Sequence, residues 1–183
     1  MLETYTGPLL PPTLLDDLTG VYTQVFSAPP WHEDAAAAQA FRQRLTTDAS
    51  SDGFRAVVAR TGTRVDGFAT GRLTHTPLPA ERAYPRVTSQ LGEIRTSELL
   101  DGAFEVDELA VMPTARGRGL GRRLLHLITQ TAPQRRAWLL TARHAGETVA
   151  FYRGMGWHEV DPLPQAVNDI VVFLAPWHSQ ATG

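Results

Sequence analysis

Residues 111–128, VMPTARGRGLGRRLLHLI, join an apolar run to a helical pattern through three glycines and four arginines. Upstream, AFEVDELAV (103–111) reads as a strand carrying Phe104, Val106, Leu109 and Val111. Its alternation slips by one place before Leu109, which predicts a bulge near Asp107 and Glu108. Downstream, Leu120, Leu124, Leu127 and Ile128 share one face of a helix expected over about 119–130. A strand feeding a helix through glycines leaves the first helical N–H groups without partners. They converge on one spot and carry roughly half a positive charge. Glycine permits positive φ and lets an anion approach the backbone closely. Arg116, Arg118, Arg122 and Arg123 add charge and forked donor geometry. The turn is therefore predicted to hold a phosphate or pyrophosphate; the competing reading is a solvated basic helix start.

Other phosphate loops do not fit. Gly117, Gly119 and Gly121 are not spaced as GxGxxG, which disfavours a dinucleotide site. All 17 basic residues are arginine, so a P-loop lysine and Schiff-base chemistry are excluded. The absence of cysteine excludes disulfides, thiolate nucleophiles and cysteine zinc sites. The six histidines have no metal-ligand spacing, so no metal is expected. No serine lies in a GxSxG turn. A net charge of −2 gives no argument for nucleic acid or an anionic membrane as partner, and neither is expected. The opening MLETYTGPLLPPTLL lacks a basic region followed by a long apolar stretch, so no signal peptide is expected. No apolar run is long enough to span a membrane. A cytoplasmic protein is the expectation, with one domain over residues 1–183.

Along the rest of the chain, PPTLLDDLTGVYTQVF reads as a helix with Thr13 at its N-cap, and EDAAAAQAFRQRLTTDA as a second. FRAVVAR and VDGFATGRLTH read as a hairpin across the turn Gly62–Arg64. Gly67 and Gly71 inside the second strand predict a bulge or close approach by another backbone. Residues 76–102 read as an irregular segment, with SELL as a short helical turn. AWLLTAR reads as a buried strand and GETVAFYRGMG as a short helix ended by Gly154 or Gly156. WHEV and DIVVFLA read as closing strands. The expected order is ααββ-loop-βαβαββ: an α/β (α+β) fold with a mixed central sheet of six to seven strands and about four helices.

Arg116-x-x-Gly119-x-Gly121, following LAVMP, resembles the [QR]-x-x-G-x-[GA] motif of the GNAT superfamily of N-acetyltransferases. AFYRGMGW resembles that family's second signature, a tyrosine-bearing helix followed by a glycine-aromatic turn. The likeness in element order covers residues 14–174. It implies that Arg116, Gly117, Arg118, Gly119, Leu120, Gly121 and Arg122 bind the pyrophosphate of acetyl-CoA. It also implies that the backbone of Leu109, Ala110 and Val111 bonds the pantetheine arm and thioester. One departure is the absence of an asparagine before the tyrosine helix, where this chain has HAGE (144–147). Dimers are frequent in the family, so a homodimer is among its implications.

Acetyl transfer to an amine requires removal of a proton, because an ammonium with a pKa near 10 does not attack. It also requires a donor for the oxyanion and benefits from a proton for the thiolate. Counting back from Arg116, Glu105 matches the family's catalytic glutamate. Glu108 is the alternative base, and ordered water is a third. Tyr152 stands at the family's tyrosine position as the acid toward sulfur, with Phe151 expected to fill the packing role beside it. Trp31 and Glu33 are candidate acceptor-binding residues, because the segment joining the first two helices helps form that site in the family. The acidic strand suits a cationic acceptor, a small-molecule or peptide amine. With no cysteine, the amine attacks directly in a ternary complex. The alternatives are a non-catalytic acyl-CoA-binding sensor or partner module and, more weakly, nucleic-acid binding through RGRGLGRR.

Overall fold

A computed structural model describes residues 1–7 and 10–180 of the chain. It is mixed α/β. Its strands are β1 (Leu2–Thr6), β2 (Arg55–Thr61), β3 (Arg64–Leu73), β4 (Phe104–Val111), β5 (Ala137–Ala142), β6 (His158–Glu159) and β7 (Ile170–Leu174). Its helices are α1 (Pro12–Phe26), α2 (Ala35–Asp48), α3 (Tyr84–Leu91), α4 (Glu93–Leu100), α5 (Leu120–Thr129) and α6 (Gly146–Gly154). The seven strands form a mixed sheet in the order β1-β2-β3-β4-β5-β7-β6. The chain divides into two compact units, Met1–Arg72 with Val106–Gln130, and Leu73–Glu105 with Thr131–Gly183.

In the first unit, β1 pairs antiparallel with β2, and β2 with β3. Leu14, Leu18, Val21, Tyr22 and Val25 of α1 pack with Phe41 and Leu45 of α2 against Ala56, Val58 and Phe68. Tyr22 stacks on Phe41 with ring centroids 4.1 Å apart. Asp34, not a residue of the helix itself, caps α2 by accepting from the Ala37 N–H at 2.9 Å. Thr13 does not cap α1: the cap position is Pro11, and Pro at the start of a helix forfeits only an N–H that had no partner.

The register of β2 against β3 jumps from Ala59↔Gly67 to Arg60↔Val65, which leaves Asp66 as the extra residue of a bulge. The Asp66 carbonyl then accepts the Met112 N–H at 2.9 Å, just past the end of β4. A Cβ on Gly67 would lie 2.7 Å from the Ala110 oxygen and 3.3 Å from Leu124 of α5. Both expectations for the second hairpin strand are met at that place. Phe68 faces the α1–α2 core while Gly67 faces α5, as alternation requires. The buried stripe of α5 is Leu120, Leu124, Leu125 and Ile128; Leu125 takes the place expected of Leu127, which is half-buried.

In the second unit, β4 begins parallel to β5, pairing Phe104 with Ala137 and Glu105 with Trp138. β7 is antiparallel to both β5 and β6. Residues 76–102 are not an irregular segment. Tyr84, Val87 and Leu91 of α3 and Leu100 of α4 pack with Trp138, Ile170, Val172 and Leu174. The fully buried Trp138 indole donates to Thr74 Oγ1 at 2.6 Å. Gly156, at φ +77°, ends α6.

His178 is buried and ties the C-terminal segment to α4. Nε2 lies 3.1 Å from the Leu99 carbonyl oxygen, and Nδ1 accepts from the Gln180 N–H at 3.2 Å. That pairing requires the neutral ring protonated on Nε2. Burial, and then the charge of Arg136, push its pKa from 6.5 down to about 4. An unfolded chain binds this proton below about pH 6.5 while the folded one does not, so folding loses stability as pH falls from 6.5 toward 4. The expected loss is roughly 2–3 kcal/mol. Urea midpoints measured across that window should fall in the native chain, and His178→Gln should remove this part of the fall.

Candidate active site

The glycine-arginine turn lies within the first unit. Gly119, at φ +72°, is the N-cap residue of α5, and Gly117 also has positive φ, at +75°. Neither has any atom within 4 Å of where a Cβ would stand, and both are exposed. Among the described residues no side chain caps the helix, and the first backbone bond closing onto Gly119 comes from Arg123. The first N–H groups of α5 have no intrahelical partner, and the space beside Gly117 and Gly119 is clear. Arg116, Arg118, Arg122 and Arg123 are exposed around them. Arg116 Nε donates to the Val111 carbonyl at 3.1 Å, which ties the turn to the end of β4. An anion is suited to this place by dipole, by donors and by shape.

β4 breaks the alternation expected of a strand. Phe104, Glu105 and Val106 are buried in succession, Asp107, Glu108 and Leu109 are half-buried, and Ala110 is buried again. The phase change read from the sequence is thus visible in the burial, while the bulge described above lies in β3, at Asp66.

Two of the acids expected in the site come together in the first unit. The Tyr22 hydroxyl donates to Glu33 Oε2. Glu108 pairs with Arg44 Nη2 of α2 at 2.9 Å. Burial, then the Glu108 and Glu33 charges, raise the Tyr22 phenol well above its usual range. Trp31 is partly buried against the α1–α2 core and meets Phe26 edge-on at 5.6 Å.

Glu105 and Tyr152 belong to the second unit. Glu105 is 3% exposed and accepts a hydrogen bond from the Tyr84 hydroxyl at 2.9 Å. Nothing in the sequence pairs these residues, which stand 21 positions apart. Tyr152, with Val149, forms the buried side of α6, and its ring contacts those of Phe151, Trp157 and Phe173. Phe151 is only half-buried. The packing role expected of Phe151 falls to the Tyr152 ring. The start of α6 at Ala145 has no side-chain cap, in keeping with the missing asparagine. Among the described residues no group of histidines and acids is placed to hold a metal ion, and no helix is long and apolar enough to cross a membrane.

Residues 80–159 match the family model of the acetyltransferase (GNAT) domain, a span that includes β4, the turn, α5 and Tyr152. Over that span the chain is similar to a GNAT acetyltransferase domain. Its fold is shared over nearly the whole chain with solved structures of low sequence identity. An acetyltransferase from Thermus thermophilus aligns with a TM-score of 0.63 at 17% identity, covering 96% of each chain. The ribosomal-protein-S18-alanine N-acetyltransferase of Escherichia coli aligns at 0.60 and 14%, covering 97% of this chain and 95% of its own. The PaiA N-acetyltransferase of Thermoplasma acidophilum, in complex with coenzyme A, aligns at 0.57 and 10%, covering 96% and 98%. The match over residues 80–159 supports an acyltransferase whose chemistry is acetyl transfer.

Proposed function

We propose that this GNAT chain, acting as one cytoplasmic domain, transfers the acetyl group of acetyl-CoA to a primary amine by direct attack in a ternary complex. The observation that carries the donor half is the open turn at Gly117 and Gly119, with positive φ and clear space at both. The pyrophosphate of acetyl-CoA is held by the backbone from Gly117 to Arg122, with Arg116, Arg118 and Arg122 beside it. Backbone N–H groups of Leu109, Ala110 and Val111 serve the pantetheine arm and the thioester oxyanion.

Glu105 takes a proton from the acceptor ammonium. The free amine nitrogen bonds to the thioester carbon, the carbon–sulfur bond breaks, and Tyr152 donates its phenolic proton to the departing sulfur. The amide proton released on collapse restores the tyrosine. The sum is ammonium plus acetyl-CoA giving acetamide, CoA thiol and one proton. Of the two candidate bases, Glu105 is preferred because Glu108 is already neutralised by Arg44. Trp31 and Glu33 contribute to acceptor binding, and Glu33 and Asp107 favour a cationic acceptor over an anionic one.

Incubation with acetyl-CoA and a panel of amines, amino acids and N-terminal peptides should release CoA thiol with at least one acceptor, at well above the rate without amine. Saturable acetyl-CoA binding without thiol release from any acceptor would favour the non-catalytic acyl-CoA sensor instead.

A further inference from the structure

Glu105 is the last residue of β4 paired with β5, and a carboxylate so far removed from water keeps its charge only with help from hydrogen bonds or cations. Tyr84, the first residue of α3 and itself 2% exposed, gives such a bond to Oε2. The chain of contacts continues outward. Arg82 Nη1 donates to the Tyr84 oxygen at 3.1 Å, and the guanidinium carbon lies 5.3 Å from the centre of the same ring. Arg82 is exposed, and its backbone sits at φ +59°, a region that strains any residue but glycine. A strained backbone, a phenol and a buried acid thus form one line from solvent to Glu105.

We propose that Tyr84 is a positioning residue for acetyl transfer: it orients the Glu105 carboxylate and sets its proton affinity, while Arg82 polarises the phenol from outside. The inference rests on the reading of Glu105 as the base. A phenol donating to a carboxylate favours the ionised form, and a cation donating to the phenol oxygen strengthens that donor. In the reaction the proton passes from the acceptor ammonium to Glu105, giving a free amine and a neutral acid, and then leaves to solvent; Tyr84 keeps its own proton throughout. Trp138, which pairs with Glu105 from β5, does not titrate, and Asp107 is a charged group two residues along the same strand.

The test compares pH profiles of kcat/KM for the native chain, Tyr84→Phe, Arg82→Gln and Glu105→Gln, using acetyl-CoA and an acceptor identified by thiol release. Tyr84→Phe should move the acid limb upward by about one pH unit and lower kcat at neutral pH about tenfold. Its KM for acetyl-CoA should stay near native. Arg82→Gln, at an exposed position, should move the limb the same way by less, and Glu105→Gln should remove it. Should both Tyr84→Phe and Arg82→Gln keep the native limb while Glu105→Gln removes it, the inference is overturned and the base reading stands. Native activity in Glu105→Gln overturns both. If Tyr84→Phe does not fold, Arg82→Gln decides alone, and an unmoved limb counts against the inference.

Discussion

Gly119→Val should abolish acetyl-CoA binding, raising Kd by about 100-fold or more. The magnitude follows from the loss of two backbone hydrogen bonds to charged oxygens, each worth about 1.5–3 kcal/mol. Gly119 holds φ +72° at the N-cap of α5, and the space beside its α-carbon is clear. A β-branched side chain would occupy that space and would also resist the left-handed conformation, at roughly 1–2 kcal/mol. Either the side chain blocks the diphosphate or the turn swings out of the left-handed region and its N–H groups no longer converge. The cost to folding is local, because the residue is exposed and no buried contact is lost. Thermal unfolding should shift by a few degrees while calorimetric binding disappears. Near-native affinity in a folded Gly119→Val chain would place the donor elsewhere.

Tyr152→Phe is expected to leave the fold and acetyl-CoA affinity intact and to lower kcat by about 10²-fold or more, the range for loss of a positioned general acid. The ring keeps its contacts with Phe151, Trp157 and Phe173, so only the hydroxyl is removed. The burial of Tyr152 sharpens this prediction. A solvent-facing tyrosine could be replaced by water as proton source, whereas a hydroxyl on a packed ring has a fixed place. Single-turnover rates with acetyl-CoA pre-bound separate this loss from slow product release. A kcat within twofold of native would assign Tyr152 to the core alone.

Where one periodicity governed a segment, the sequence was legible. α5 and β5 were expected almost to the residue, because a helical stripe and a short apolar run each leave one good reading. The turn was legible as a strand-to-helix junction for a different reason: clustered glycines end both periodicities and supply the positive φ found at Gly117 and Gly119. β1 was missed because LETYT at the sheet edge is half-exposed and carries little apolar signal. α3 was missed because Pro77, Pro79 and Pro85 give this stretch the composition of a loop. Pro85 lies in the first turn of the helix, where proline is favourable, and the spacing of Tyr84, Val87 and Leu91 already described its buried face.

The packing role of Tyr152 was readable too, since Val149 and Tyr152 stand three apart on the face α6 buries. The bond between Tyr84 and Glu105 was not readable, because no local rule connects a helix start to a strand residue so distant in sequence. Only the placement of α3 makes them neighbours.

Titration calorimetry of the native chain and of Gly119→Val with acetyl-CoA asks whether the turn at Gly119 holds the diphosphate. The expected result is a saturable heat for the native chain with Kd below about 1 mM, and none for the variant under the same conditions. No heat from the native chain at millimolar acetyl-CoA, or the same heat from both, would contradict it.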